Sequence, residues 1–245
     1  LEKKMQIDAA FAGDLRAAHE KAVGALVDGL GPYSALVESL QAAVGREFNW
    51  VRDVTVSNST WGNRQLRIFD SRAGVHALGG GIGQGLAMGI GAAIGSAAIA
   101  PSKKTFCLAG DGGFILNLGE LATAVQERAD LVIVLMNDKG YGVIKNIQDA
   151  QYGGRRHYVD LHTPDYAALS QSLQLRHRRV SNLADVGIAL NEATTGEGPF
   201  LLEIDMLSIG SFKTIFAGPP VNQQAKEGQG ERAAACTTDG TTVMA

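Results

Sequence analysis

Two acidic residues of this 245-residue chain are spaced so that they could share a divalent cation. Asp111 lies in Gly110-Asp111-Gly112, and after 25 intervening residues Asp138 follows, in Met136-Asn137-Asp138-Lys139-Gly140-Tyr141. Carboxylates are hard oxygen ligands, suited to Mg²⁺ or Ca²⁺ and poor for a thiophilic metal. A main-chain carbonyl close to the second acid would add a third oxygen, and a cation so held can anchor a diphosphate. Alone, Gly-Asp-Gly has the composition of a plain turn, so its meaning depends on the elements that flank it.

Those elements follow from the apolar patterns. Lys104 to Ala109 is a short apolar run that ends in Gly-Asp-Gly, and Leu131 to Met136 is a second run, richer in branched residues, that ends in Asn-Asp. Each predicts a buried parallel strand. Between them, Phe114 to Arg128 carries Ile115, Leu118, Leu121, Ala122 and Val125 at helical spacing, with Gly113 at the entrance. A strand, helix and strand of this length make a right-handed crossover, which brings both strand ends to the same edge of the sheet. Ligands of open α/β sheets bind at that edge. The helix entrance after Gly112 would turn free N–H groups towards an anion on the metal.

In this context the chain resembles the thiamine-diphosphate enzymes, whose signature is Gly-Asp-Gly, a spacer of this length, then Asn-Asn or Asn-Asp. The resemblance implies that Asp111, the Asp138 side chain and the Gly140 carbonyl are the metal ligands. It also implies cofactor contacts from Gly112, Gly113, Tyr141, Gly142 and Val143. Asp138 stands where Asn is commoner; its added charge should strengthen cation binding and repel the diphosphate if the cation leaves.

A second match is Gly79-Gly80-Gly81-Ile82-Gly83-Gln84-Gly85-Leu86-Ala87-Met88-Gly89. It resembles the Gly-x-φ-Gly segment, φ being a large apolar residue, of the pyruvate decarboxylase, benzoylformate decarboxylase and acetolactate synthase group. By that resemblance the Gly80 carbonyl accepts a hydrogen bond from the 4′-amino group, Gly81 lies against the cofactor, and Ile82 is the wedge that bends it into a V. A stiff β-branched side chain suits that task. The 22 residues from Gly79 to Ala100 carry no charge, which also allows a membrane span to be considered. Their Gly and Ala content gives a poor transfer energy, and a helix buried between layers is the better reading.

Upstream, Val54 and Val56 predict a strand within Val51 to Thr60, with a hydroxyl cluster at its end. The resemblance makes Ser57 and Thr60 the best matches for bonds to phosphate oxygens, although such clusters also serve as loops or helix caps. Downstream, Tyr141 to Gln148 should begin a helix on the substrate side. Ile144 matches a position that faces the reacting carbons, and an apolar residue there argues against a close copy of pyruvate decarboxylase. His76, four residues before Gly80, matches a position that can reach the substrate; a lone histidine is as readily a surface or core residue. Arg155, Arg156 and His157 could meet a substrate carboxylate, but a solvated basic loop is the simpler reading.

The remaining pattern predicts a helix opened by Thr163-Pro164-Asp165 and running to about Leu173, with Pro in its first turn. A strand at Leu175 to Val180, a helix at Leu183 to Thr194 and a strand at Phe200 to Ile204 follow. Such alternation makes an α/β domain, a doubly wound parallel sheet with helices on both faces. Residues 31–217 suffice for one core, residues 1–30 read as the end of a preceding domain or a linker, and 218–245 as a mobile tail.

Net charge −3 and a pI near 6.0 leave no nucleic-acid footprint. Two cysteines, Cys107 and Cys236, exclude a disulfide framework or an iron–sulfur ligand set, and the default location is cytoplasmic. The resemblance covers roughly residues 31 to 210. It implies Mg²⁺-dependent decarboxylation of a 2-oxo acid, carboligation through an enamine, or both. It also implies a partner, a pyrimidine-binding domain bearing the activating glutamate, in a homodimer or homotetramer of the full enzyme. The alternative is a non-catalytic cofactor-binding subunit or fragment that needs a partner chain.

Overall fold

Strands β1 (Phe48–Arg52), β2 (Gly74–His76), β3 (Lys104–Gly110), β4 (Leu131–Asn137), β5 (Arg176–Val180) and β6 (Phe200–Asp205) form one sheet. Its order is β2-β1-β3-β4-β6-β5, and every neighbouring pair is parallel. The structure, a computed structural model, describes residues 10–213. The expected mobile tail at 218–245, and Cys236 with it, lie outside the described residues.

Side-chain alternation along the strands builds two cores. Phe48, Trp50, Phe106, Leu108, Val132 and Val134 face one layer, where Trp61 and helices α2 (Ser34–Val44) and α8 (Val186–Thr195) cover them. Cys107, Ala109, Leu131, Ile133 and Leu135 face the other, under α3 (Gln84–Ala97), α5 (Glu120–Gln126) and α7 (Tyr166–Ser172). Trp50 and Trp61 are fully buried with ring centroids 6.1 Å apart. Truncating either to alanine would cost on the order of 3–5 kcal/mol.

Helix α3 answers the membrane question. It is 14 residues long, and its small residues let it press on the sheet: a Cβ at Gly89 would lie 3.0 Å from Cys107 Cβ. No described helix is long and apolar enough to cross a membrane. The first helix, α1 (Phe11–Leu30), is exposed along most of its length, and only Gly29 and Leu30 at its end are buried.

Three expected elements are corrected, and one unexpected strand is added. The first strand ends at Arg52, so Val54 and Val56 lie beyond it; the Asp53 N–H still donates to Leu108 O of β3 at 2.8 Å, while its carboxylate binds the backbone of a distant segment. The expected helix from Phe114 to Arg128 is a helical turn, α4 (Asp111–Phe114), a 3₁₀ turn and then α5. Asp165 caps α7 by accepting from the N–H groups of Ala167 and Ala168, which puts Pro164 outside the first turn. Edge strand β2 was not expected; three residues without a clear alternation leave no periodic signal.

Candidate active site at the carboxyl edge

The strand order reverses between β1 and β3: the chain goes from β1 outward to β2, then crosses back to β3 on the other side of β1. Segments leaving the two strands diverge there and open a crevice. A cavity of about 340 Å³ occupies it, lined from β1 by Val54, Thr55 and Val56, from β3 by Gly110, Asp111, Gly112 and Gly113, and from β4 by Met136, Asp138, Gly140, Tyr141, Gly142, Val143 and Ile144. Gly80 and Ile82 line it from the glycine-rich segment, and Met206, just after β6, completes it. Three stretches far apart in sequence therefore meet in one cavity.

The acidic pair lies within this cavity. Asp111 is 0 % exposed, and one carboxylate oxygen, Oδ2, accepts the Gly140 N–H at 3.0 Å. The other, Oδ1, has no hydrogen-bond partner. Burial, and after it the charge of Asp138, push the Asp111 carboxyl up to about 7. Burial also raises Asp138, against a lowering contribution from Lys145. One buried and one half-buried acid, with an unsatisfied carboxylate oxygen between them at the strand ends, make a donor set suited to a divalent cation. No third His, Cys, Asp or Glu joins them among the described residues, which leaves the remaining positions on a cation to carbonyl and phosphate oxygens. These residues fit Mg²⁺ and a diphosphate.

The loop that carries Asp138 is tied from behind. Asn137 Nδ2 donates to Glu203 Oε1 at 2.8 Å, and the Lys139 N–H returns to Asn137 Oδ1 at 3.3 Å. Glu203 in turn lies 3.0 Å from His177 Nε2. Lys139 adopts the left-handed region, φ 51°, so the chain reverses sharply before Gly140. The Tyr141 N–H then donates to Val159 O at 2.8 Å. Glu203 and His177 sit on strands far from the recognisable motifs, and nothing in their local sequence marked them.

The glycines are required by contact. A Cβ on Gly112 would lie 2.7 Å from the Tyr141 ring, and one on Gly142 would lie 2.3 Å from Asp138 Oδ2 and 3.0 Å from Val56 Cγ2. Gly142→Ala is therefore expected to push the Asp138 carboxylate aside and weaken Mg²⁺-dependent ligand binding by about tenfold, while the far-ultraviolet spectrum stays native. Calorimetric titration of the variant checks this, and an unchanged affinity would contradict it.

Other expected site residues are placed elsewhere. Thr55, not Ser57 or Thr60, lines the cavity. Ser57 is fully buried with its hydroxyl unpartnered, and the Thr60 hydroxyl donates to the carbonyls of Val56 and Ser57 inside a π-helical turn at Asn58–Gly62. Of the hydroxyl residues in this segment, only Thr55 reaches the cavity lining. Gly81 is outside the lining, and its carbonyl accepts from Gln84 Nε2 at 3.2 Å. His76 ends β2 on an exposed edge and does not line the cavity. Arg156 pairs with Asp149 at 2.6 Å, and Arg155, Arg156 and His157 are exposed, as a solvated loop should be.

Comparison with known proteins agrees with this geometry. Residues 55–204 match the family model described as thiamine pyrophosphate enzyme, C-terminal TPP binding domain. A probable acetolactate synthase large subunit of Methanococcus aeolicus is 32% identical over 104 residues, 42% of this chain and 17% of that protein. A 3D-(3,5/4)-trihydroxycyclohexane-1,2-dione hydrolase of Halalkalibacterium halodurans is 30% identical over 114 residues, 44% of this chain and 18% of that protein. Among solved structures, benzoylformate decarboxylase from Polynucleobacter necessarius superposes with a TM-score of 0.66 at 20% identity, over 76% of this chain and 34% of that one. The matched part is thus less than a fifth of these curated relatives and about a third of the solved chain. Sheet, cavity and family match together make this chain a member of the thiamine pyrophosphate enzymes, carrying their C-terminal cofactor-binding domain.

Proposed function

We propose that this chain supplies the metal and diphosphate half of the active site of an enzyme that decarboxylates a 2-oxo acid, adds the product to a second carbonyl, or does both. The observation that carries the reading is the single cavity shared by Asp111, Asp138 and Gly140 with Gly80 and Ile82. Asp111, the Asp138 side chain and the Gly140 carbonyl would hold Mg²⁺, with Ca²⁺ as a substitute, and Thr55 and the backbone of Gly112 and Gly113 lie beside the space for the diphosphate. When bound, thiamine diphosphate supplies a carbon nucleophile that also serves as an electron sink. Gly80 would hold the 4′-amino group by its carbonyl, and Ile82 would support the rings from below.

Val143 and Ile144 give the substrate side an apolar wall, and Ile144 is 43% exposed at the rim, where a second domain can cover it. That domain would bring the activating glutamate. The small share of each relative that the chain matches supports a need for such a partner, on a second chain or a further segment, in a dimer or tetramer. His76 would act as an acid or base only if the partner brings substrate to the β2 edge.

The test is to purify the protein with whatever binds it and supply a panel of 2-oxo acids with thiamine diphosphate and Mg²⁺. Release of CO₂ from at least one acid, dependent on both additions, is expected. A protein that binds the cofactor and its partner yet turns over none of the panel would instead be a non-catalytic binding subunit.

A further inference from the structure

Resting on the cofactor reading above, we infer that Asp53 and Asn117 are positioning residues which clamp Gly83 from two sides and so fix Gly80 and Ile82 in the cofactor cavity. Asp53 follows the last residue of β1 and is 1 % exposed. Its carboxylate is met by backbone donors. The Gly83 N–H reaches Oδ2 at 2.9 Å and Oδ1 at 3.1 Å, the Gly85 N–H reaches Oδ2 at 3.2 Å, and the Val54 N–H reaches Oδ1 at 2.7 Å. From the opposite side, Asn117 Nδ2 donates to the Gly83 carbonyl at 2.5 Å. Both polar groups of one peptide residue are thereby held by side chains from different elements.

Gly83 is the residue on which the glycine-rich segment turns into α3. Its φ of 89° is left-handed, and a Cβ there would lie 3.0 Å from Leu116 Cδ1. The residues before it are loosely fastened: the Gly81 N–H donates to Leu78 O at 3.2 Å, and the Gln84 side chain bonds Leu78 and Gly81. Gly80 has an exposed backbone at φ 70°, and Ile82 is 39% exposed. Their height above the cavity floor is therefore set mainly where Gly83 is gripped.

The same carboxylate registers this segment against the metal motif. A Cβ on Gly113 would lie 2.7 Å from Asp53 Oδ2, and one on Gly85 would lie 2.6 Å from Asp53 Cβ. Glycine at 85 and 113 lets the acid be enclosed between the two motifs. Asn117 extends the link, because it follows Gly112 by five residues in the chain that leaves the metal motif. Ring contacts and metal ligands are thus tied together through Asp53, Gly83 and Asn117, with hydrogen bonds to a buried charge as the strongest members.

A merely structural cap on α3 would lower stability alone, whereas a clamp discriminates between ligands. Full-length Asp53→Asn and Asn117→Ala are titrated with two probes in Mg²⁺: inorganic pyrophosphate, which reports the metal end, and thiamine diphosphate, which reports both ends. Asp53→Asn should weaken thiamine diphosphate by at least about tenfold and pyrophosphate by no more than about twofold; Asn117→Ala should do the same in the weaker measure of about threefold. Equal weakening of both ligands, or of neither, overturns the clamp. If Asp53→Asn does not fold, the half-buried Asn117→Ala decides by the same ratio. A wild-type protein that binds neither probe overturns the cofactor reading itself, an outcome distinct from the other two.

Discussion

Asp111→Ala is expected to weaken Mg²⁺-dependent binding of thiamine diphosphate by at least about a hundredfold, equivalent to about 3 kcal/mol, while the protein stays folded. Asp111 is fully buried, uses one oxygen on the Gly140 N–H and leaves the other without a hydrogen-bond partner. Its loss would remove both a cation ligand and the acceptor that holds the Gly140 peptide in place. Asp138 alone, on a loop tied through Asn137 to Glu203, cannot replace it, because its own position is fixed. In the absence of metal one of two neighbouring acids is gone, which offsets part of the destabilisation from the cavity left by the side chain. Titration calorimetry reads the first effect and thermal unfolding in chelator reads the second. A binding constant within about threefold of wild type would exclude Asp111 as a ligand.

Asp138→Asn restores the commoner residue of the family pattern and is expected to have opposite effects with and without metal. Burial raises the folded-state carboxyls of Asp111 and Asp138 above their ordinary values, and the charge of Asp138 raises Asp111 further. A raised carboxyl means that the folded state holds its proton more tightly than the unfolded chain. The associated stability is fully present below the unfolded carboxylate range near pH 4 and is lost as pH rises through the folded value, about 7 for Asp111. Metal-free wild type should therefore lose roughly 2–4 kcal/mol between pH 4 and pH 8 from this pair. Asp138→Asn removes one charge, shrinks that loss and is the more stable metal-free protein at pH 8. With Mg²⁺ the order inverts, since a neutral amide is the weaker ligand and affinity for the cation should fall by about tenfold. Denaturant unfolding across this pH range in chelator, repeated with saturating Mg²⁺, checks both halves. Parallel pH profiles for wild type and variant would show that the two acids do not interact.

Much of the fold and the heart of the site were legible because they depend on short, local rules. The apolar runs ending in Gly110 and Asn137 marked β3 and β4, and the crossover rule then placed Asp111 and Asp138 at one edge. Gly80 and Ile82 were found by resemblance to a family segment, and the sheet brings them to the same cavity. What was missed depends on long-range contact. The end of β1 could not be read because Val54 and Val56 keep the alternation of a strand, while beyond it the Asp53 carboxylate is taken up by the N–H groups of Gly83 and Gly85. Past that end Thr55 lines the cavity, and Ser57 and Thr60, which were expected there, do not. Glu203 gave no local sign of its role, and only the sheet reveals that it pairs with Asn137 and His177.

The binding claim is tested most directly by titrating the purified wild-type protein with thiamine diphosphate, once in Mg²⁺ and once in excess chelator. A saturable 1:1 isotherm in Mg²⁺ that disappears in chelator is the predicted result. No binding in Mg²⁺, or binding indifferent to the chelator, would contradict the assignment of Asp111, Asp138 and Gly140 as the anchor of the diphosphate.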